Sequence, residues 1–168
     1  MPMSDYIRGL RERIGTEVLE IPTVSVIVFD HRDRVLLVRH VEGNVWTTPG
    51  GMIEPYELPA DAAVREAWEE TGLHVVPQRI VGVFGGPVCS ATYANGDKMA
   101  FVTTVFVADV AGGTLRPDGE ETLETRYFAR EDLRDVPVRP QVMLYLDAAW
   151  AHESTVHFQK PTWRPPSA

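Results

Sequence analysis

Between Gly51 and Leu73 the chain reads GMIEPYELPADAAVREAWEETGL, a stretch that gathers acidic side chains at spacings on which they can act together. Residues three or four apart on an α-helix share a face, so Glu66, Glu69 and Glu70 are expected to converge on one helix edge. Such a cluster repels itself and is costly to hold unless a cation neutralises it. Carboxylate oxygens without His or Cys suit a hard divalent ion, Mg²⁺ or Mn²⁺, rather than zinc. Glu57 and Arg65 stand at the two ends of the first part of this helix, where a salt bridge would brace the preceding loop against it. Gly50-Gly51 lets the backbone turn tightly and bring a carbonyl close to a metal or a phosphate. Taken alone, REAWEE is more often a solvated acidic face. The full spacing from Gly51 to Leu73, preceded by Trp46-Thr-Thr-Pro-Gly, is what favours a site.

That spacing resembles the signature of the Nudix family. Gly51 is followed after five residues by Glu57 and after seven more by Arg65-Glu66; then come apolar Ala67, Glu69-Glu70, Gly72 and apolar Leu73. Every fixed position is filled, which average residue frequencies would produce by chance on the order of once in ten million chains of this length. A looser resemblance runs from Val24 to about Leu133, through VLLVRH before the box and ETLETRYF after it. It implies an α/β/α sandwich around a mixed sheet, with the box as loop–helix–loop. It also implies metal-dependent cleavage of a pyrophosphate link in a small nucleotide-type substrate. By position, Glu69 and Glu70 correspond to the principal metal ligands. Glu66 corresponds to a further ligand, or to the group that orients or deprotonates the attacking water, and the Gly50 carbonyl to an additional metal contact. Tyr56 stands where Gly is common and Leu58 where a small polar residue is common, changes that bear on loop shape.

Family members often carry one more acid on a distant loop, and DGEETLE (118–124) offers Glu121 and Glu124 as candidates, although acids before a strand are commonly just solvated. Arg39, at the end of a strand, has the fork geometry for a phosphate. Trp46 and Tyr93 could stack on a base, or cap the core as loop aromatics usually do. The histidines, His31, His40, His74, His152 and His157, show no ligand spacing and read as structural or exposed. Cys89 has no His–acid pattern around it and reads as an inert thiol. Pro87 and Tyr93 narrowly miss the positions that mark ADP-ribose and dinucleoside polyphosphate hydrolases in the family. The favoured substrate is a nucleoside diphosphate joined to another group, such as ADP-ribose or a nucleotide sugar. The alternatives are an ordinary or oxidised nucleoside triphosphate, and a non-catalytic binding module. Such modules usually lack a box glutamate, and Glu66, Glu69 and Glu70 are all present.

Composition sets the frame around this site. The 168 residues carry a net charge of −8, with 44% hydrophobic and 24% charged residues, as expected of one globular domain. The acidic balance argues against a nucleic-acid binder that works by neutralising phosphates, whereas a cation between acids and phosphate oxygens keeps a phosphate substrate open. No apolar run reaches the length of a membrane span, the start MPMSDYIRGLRER has no signal-like apolar core, and Cys89 is the sole cysteine. A reducing, cytoplasmic setting is the default reading.

The elements that must position these residues follow from periodicity. Apolar Tyr6, Ile7, Leu10 and Ile14 predict a short amphipathic helix over Asp5–Ile14 with Ser4 as its cap, packed on its own domain or joining a homodimer. TVSVIVFD (23–30) and VLLVRHV (35–41) read as two strands around a tight connection, and EGNVWTTPGG (42–51) as loop. Pro59 and Gly72 delimit the box helix over 58–71. Strands are expected at 79–84, 100–110 and 123–128, with a turn at Asn95-Gly96, and a closing helix from 140 to 151. The reading is α+β, a mixed sheet covered by helices. Residues 1–20 form an N-terminal helical extension, 21–151 the domain, and 152–168 a proline-rich tail.

Overall fold

Hydrophobic alternation in the strands sends side chains to two opposite faces, and a helix covers each face in the computed structural model, which describes residues 4–151 and 155–165. In chain order the elements are α1 (Asp5–Ile14), β1 (Leu19–Ile27), β2 (Val35–His40), β3 (Trp46–Thr47), α2 (Pro59–Thr71), β4 (Leu73–Phe84), β5 (Ser90–Thr92), β6 (Lys98–Gly113), β7 (Thr122–Phe128), α3 (Pro140–Trp150) and β8 (His157–Phe158). One sheet has the order β1-β6-β4-β8, with β5 added to β6, and the other has the order β3-β2-β7. β1 runs parallel to β6 and β4 antiparallel to it, so the sheet is mixed as expected.

Odd and even residues of β1 and β2 divide the core. Val24, Val26, Val28 and Leu36 pack with Ala62, Ala63 and Ala67 of α2. Ile27, Val35 and Leu37 pack instead with Val142, Leu146, Ala149 and Trp150 of α3. The result is the α/β/α sandwich. Small alanines on α2 let that helix approach the sheet closely, which matters because it carries the box carboxylates.

The predicted helices stand close to their expected limits. Ser4 caps α1 by accepting from the Ile7 N–H at 3.3 Å. Pro59 opens α2, and Gly72 closes it in the left-handed conformation (φ 68°), its N–H donating to the Trp68 carbonyl. The strands differ more. The first begins at Leu19, ahead of the expected position, and the two strands read as neighbours lie mainly in different sheets. Their connection is tight as expected: the Asp30 carboxylate accepts from the backbone N–H groups of Arg32 and Arg34 and from the Arg34 guanidinium. β4 starts directly after Gly72, ahead of the expected 79, and part of the stretch read as loop forms β3. Asn95-Gly96 lies in the turn of the β5–β6 hairpin, as predicted. In the tail, His157–Phe158 adds to β4 as a parallel strand. His152 and the last tail residues lie outside the described part.

Candidate active site

The glycine-rich loop of the box is laid along the outer edge of β1. Val24 N–H donates to the Gly51 carbonyl, Val26 N–H to that of Pro49, and Ile53 N–H to that of Pro22. This fixes the loop beside α2. A Cβ on Gly51 would lie 2.5 Å from the Glu66 carboxylate, so a side chain there would displace that group. The Gly50 N–H donates to Glu70 Oε2 at 3.0 Å.

Arg65 organises the acids around it. Its Nε and Nη2 grip both oxygens of Glu57 at 2.8 Å each, its Nη1 donates to Glu66 at 2.8 Å and to Glu69 at 3.2 Å, and Nη2 also reaches the Met52 carbonyl. The expected brace between loop and helix is therefore present, as a bidentate pair. Glu57 is held below the usual carboxylate range, chiefly by these hydrogen bonds from Arg65.

Glu66 and Glu70 are 1% and 2% exposed, an unusual depth for carboxylates. Burial raises the Glu66 carboxyl to about 8, the Arg65 hydrogen bond pulls it down, and the neighbouring Glu70 charge pushes it up. Burial likewise raises Glu70, against the lowering effect of His40, whose Nε2 lies 3.1 Å from Glu70 Oε1. The convergence expected of three carboxylates holds for two. Glu69 is half exposed and turned toward Arg65, and among the described residues no three His, Cys, Asp or Glu side chains are gathered tightly enough to hold a metal as they stand. The cause is local: in this arrangement Arg65 and His40 occupy carboxylate oxygens that a cation would otherwise use. The donor set still fits a hard divalent ion: two adjacent buried carboxylates offer oxygen ligands only, and a cation beside them would displace the protons that burial favours.

Of these groups, Glu70 and His40 open onto a cleft of about 720 Å³, of a size to hold a nucleotide. Glu70, His40, Gly50, Gly51 and Glu121 form one part of its lining; Ile7, Tyr93, Met99 and Phe101 form another. Glu121 is presented by a short loop that Asp118 ties together, its Oδ1 accepting from the N–H groups of Glu120, Glu121 and Thr122. The Glu121 charge acts on Glu70.

Several sequence expectations require correction. Glu124 faces Arg39 across the β2–β7 ladder, pairs with it at 3.2 Å, and does not line the cleft. Arg39 is engaged by Glu124 and by Asn44 Oδ1 at 2.9 Å, also outside the cleft, so the strand register removes it from phosphate contact. Trp46 is 4% exposed and lies edge-on to Phe128 at 4.7 Å; it fills the core and presents no face to a base. Tyr93 does line the cleft, packed beside Ile7 and Met99. Pro87 sits in an exposed turn away from it. Cys89 is buried, with its sulfur 3.6 Å from the Tyr145 hydroxyl. His40 was missed: the β2–β7 register shifts between Arg39 and His40, an irregularity that the sequence does not announce.

Comparison with known proteins bears on the whole arrangement. A family model described as NUDIX domain matches residues 19–146. The chain is 29% identical over 120 residues to an ADP-ribose pyrophosphatase of Methanocaldococcus jannaschii, covering 69% of this chain and 65% of that protein. It is 30% identical over 130 residues to the 8-oxo-dGDP phosphatase NUDT18 of Homo sapiens, covering 73% of this chain and 36% of that one. The chain spans 63% and 58% of the length of the first two curated relatives it matches. Among solved structures, a NUDIX hydrolase from Nitrosomonas europaea superposes with a TM-score of 0.65 at 23% identity, covering 80% of this chain and 90% of that one. No helix among the described residues is long and apolar enough to cross a membrane.

Proposed function

The chain belongs to the Nudix family, and on that premise we propose that it is a pyrophosphohydrolase, dependent on Mg²⁺ or Mn²⁺, acting on a nucleoside diphosphate joined to a second group, with ADP-ribose or a nucleotide sugar favoured. The observation that carries this reading is the pair of buried carboxylates, Glu66 and Glu70, one helical turn apart, with Glu70 lining a nucleotide-sized cleft. Glu66, Glu69 and Glu70, the Gly50 carbonyl and Glu121 are the groups that would hold the metal. The bound cation would screen phosphate charge and stabilise the charge that develops on the phosphoryl oxygens.

The side chains of the protein do the rest. Arg65 fixes the Glu66 carboxylate through its 2.8 Å hydrogen bond, leaving Glu66 to orient an attacking water and receive its proton. His40 and the Gly50 N–H fix Glu70 from two sides and set its orientation. Glu57 locks Arg65 in place, so loop and helix keep one geometry through turnover. The resemblance to a protein named as an 8-oxo-dGDP phosphatase favours a second reading, hydrolysis of an ordinary or oxidised nucleoside di- or triphosphate.

A substrate panel with Mg²⁺ or Mn²⁺, products separated by chromatography, tests both readings. It should contain ADP-ribose, nucleotide sugars, diadenosine polyphosphates, and ordinary and oxidised nucleoside di- and triphosphates. Release of a nucleoside monophosphate from ADP-ribose or a nucleotide sugar, abolished by EDTA, is the expected result. Preferential turnover of nucleoside di- or triphosphates would move the assignment to the second reading. Absence of turnover in folded, metal-loaded protein would overturn the hydrolase assignment.

A further inference from the structure

The N-terminal helix lies outside the family-matched segment, since α1 ends at Ile14 and the match begins at residue 19. It is nevertheless built into the cleft. Ile7 is 3% exposed, packs with Ile21 and Met99, and lines the cavity together with Tyr93, Met99 and Phe101. Arg11, on the same helix, is buried and anchors it. Its Nη1 donates to the carbonyls of Gly15 at 3.0 Å and Glu17 at 2.7 Å, and its Nη2 to that of Lys98 at 2.7 Å. Its Nε lies 3.7 Å from the Asp97 carboxylate. Lys98 and Asp97 belong to the β5–β6 hairpin, whose turn also places Tyr93, Asn95 and Asp97 along the cleft.

The chemistry of this corner is specific. Apolar and aromatic surfaces from Ile7, Met99, Phe101 and Tyr93 adjoin the hydrogen-bonding groups of Asn95 and Asp97. A planar, largely apolar ring with polar edges matches that combination; a sugar, polar on all sides, does not. Glu70 of the box lines the same cavity, and a cation held there would take the phosphates.

We infer that α1 is a specificity element added to the Nudix domain: Ile7 backs the wall of Met99 and Tyr93 on which the nucleobase of the substrate is seated, while Arg11 positions the helix on the hairpin. This rests on the proposed reading of the site as a nucleotide pyrophosphohydrolase. It goes further by assigning selection for nucleosides, over sugar or inorganic phosphates, to a helix outside the family-matched segment.

Calorimetric binding tests it without needing turnover. The probes are AMP, GMP and UMP against ribose 5-phosphate, titrated with Mg²⁺ into the full chain and into Ile7→Ala and Ile7→Val. At least one nucleoside monophosphate should bind the wild type about tenfold or more tighter than ribose 5-phosphate. Ile7→Ala should weaken that nucleotide about tenfold and Ile7→Val about threefold, the larger truncation leaving the larger gap behind the cavity wall, with ribose 5-phosphate unmoved in both. Melting curves identify folded variants; Ile7→Val, which removes a single methylene, decides the matter if Ile7→Ala does not fold. Equal binding of nucleotides and ribose 5-phosphate, or Ile7 variants of native stability that bind nucleotides as the wild type does, would overturn the inference. Ile7-dependent nucleotide binding in a protein that hydrolyses nothing would leave the inference standing and remove the hydrolase reading instead.

Discussion

Arg65 spreads a single guanidinium over Glu57, Glu66, Glu69 and the Met52 carbonyl. Removing it would leave the Glu66 carboxylate buried without its cation and release Glu57 from the box loop. Arg65→Ala should therefore destabilise the fold by about 2 kcal/mol, below the usual cost of breaking a fully buried pair because the arginine is partly solvated. Urea titration would show it as a lowered midpoint; an unchanged midpoint would mean that the carboxylates find other partners. Glu70→Gln addresses chemistry instead of stability. The amide is isosteric, its oxygen can still accept from the Gly50 N–H, and the helix should persist. Turnover on the best substrate should fall by orders of magnitude through lost metal binding. Turnover at the wild-type level in that variant would remove Glu70 from the mechanism.

At the scale of elements, two contacts make separate predictions. The Asp30 carboxylate closes the β1–β2 connection; partial burial raises its carboxyl, but the Arg34 side chain and the Arg34 and Arg32 backbone N–H groups outweigh this and hold it at about 2 instead of 3.8. A depressed carboxyl stabilises the fold above its unfolded pKa, and that contribution is lost as pH falls through the folded value. Asp30→Asn should thus melt below the wild type at pH 7, and the gap should close between about pH 4 and pH 2. A gap independent of pH would show that the loop does not depend on this charge. Arg11→Ala breaks the anchor between α1 and the β5–β6 hairpin and leaves three carbonyls without their donor, a loss of about 1–3 kcal/mol in a chemical denaturation curve. The elements themselves were legible in the sequence to the extent that their signals are local. Pro59 and Gly72 delimit α2, and helical spacing alone puts Glu66 and Glu70 one turn apart on one face. What sequence reading missed depends on partners far along the chain. The contact of His40 with Glu70, the capture of Arg39 by Glu124, the inward turn of Trp46 and the pairing of His157–Phe158 with β4 are all decided by sheet register. Glu69 departed for a different reason: helix spacing places it beside Glu66 and Glu70, but Arg65 draws its side chain aside.

Taken whole, the molecule holds two adjacent buried carboxylates whose charged forms burial disfavours and a bound cation would favour. A ligand that binds the folded state alone stabilises it by mass action. Millimolar Mg²⁺ or Mn²⁺ should therefore raise the melting temperature, EDTA should reverse the rise, and Glu70→Gln should show a smaller one. A melting temperature indifferent to both ions would exclude this acidic cluster as their site. The parallel ladder between β1 and β6 has a consequence for how the chain reaches this state. It joins residues 80 apart, as in the hydroxyl contact between Thr23 and Thr103. At about 5–20 residues per second on the ribosome, β1 leaves the exit tunnel roughly 4–16 s before the matching part of β6 does. During that interval its backbone groups lack the ladder that later satisfies them, an opportunity for chaperones and for wrong strands alike. Pro22, which has no N–H to offer, and Glu20, which carries charge, stand in the first half of β1 and would blunt self-association of the nascent chain while it waits.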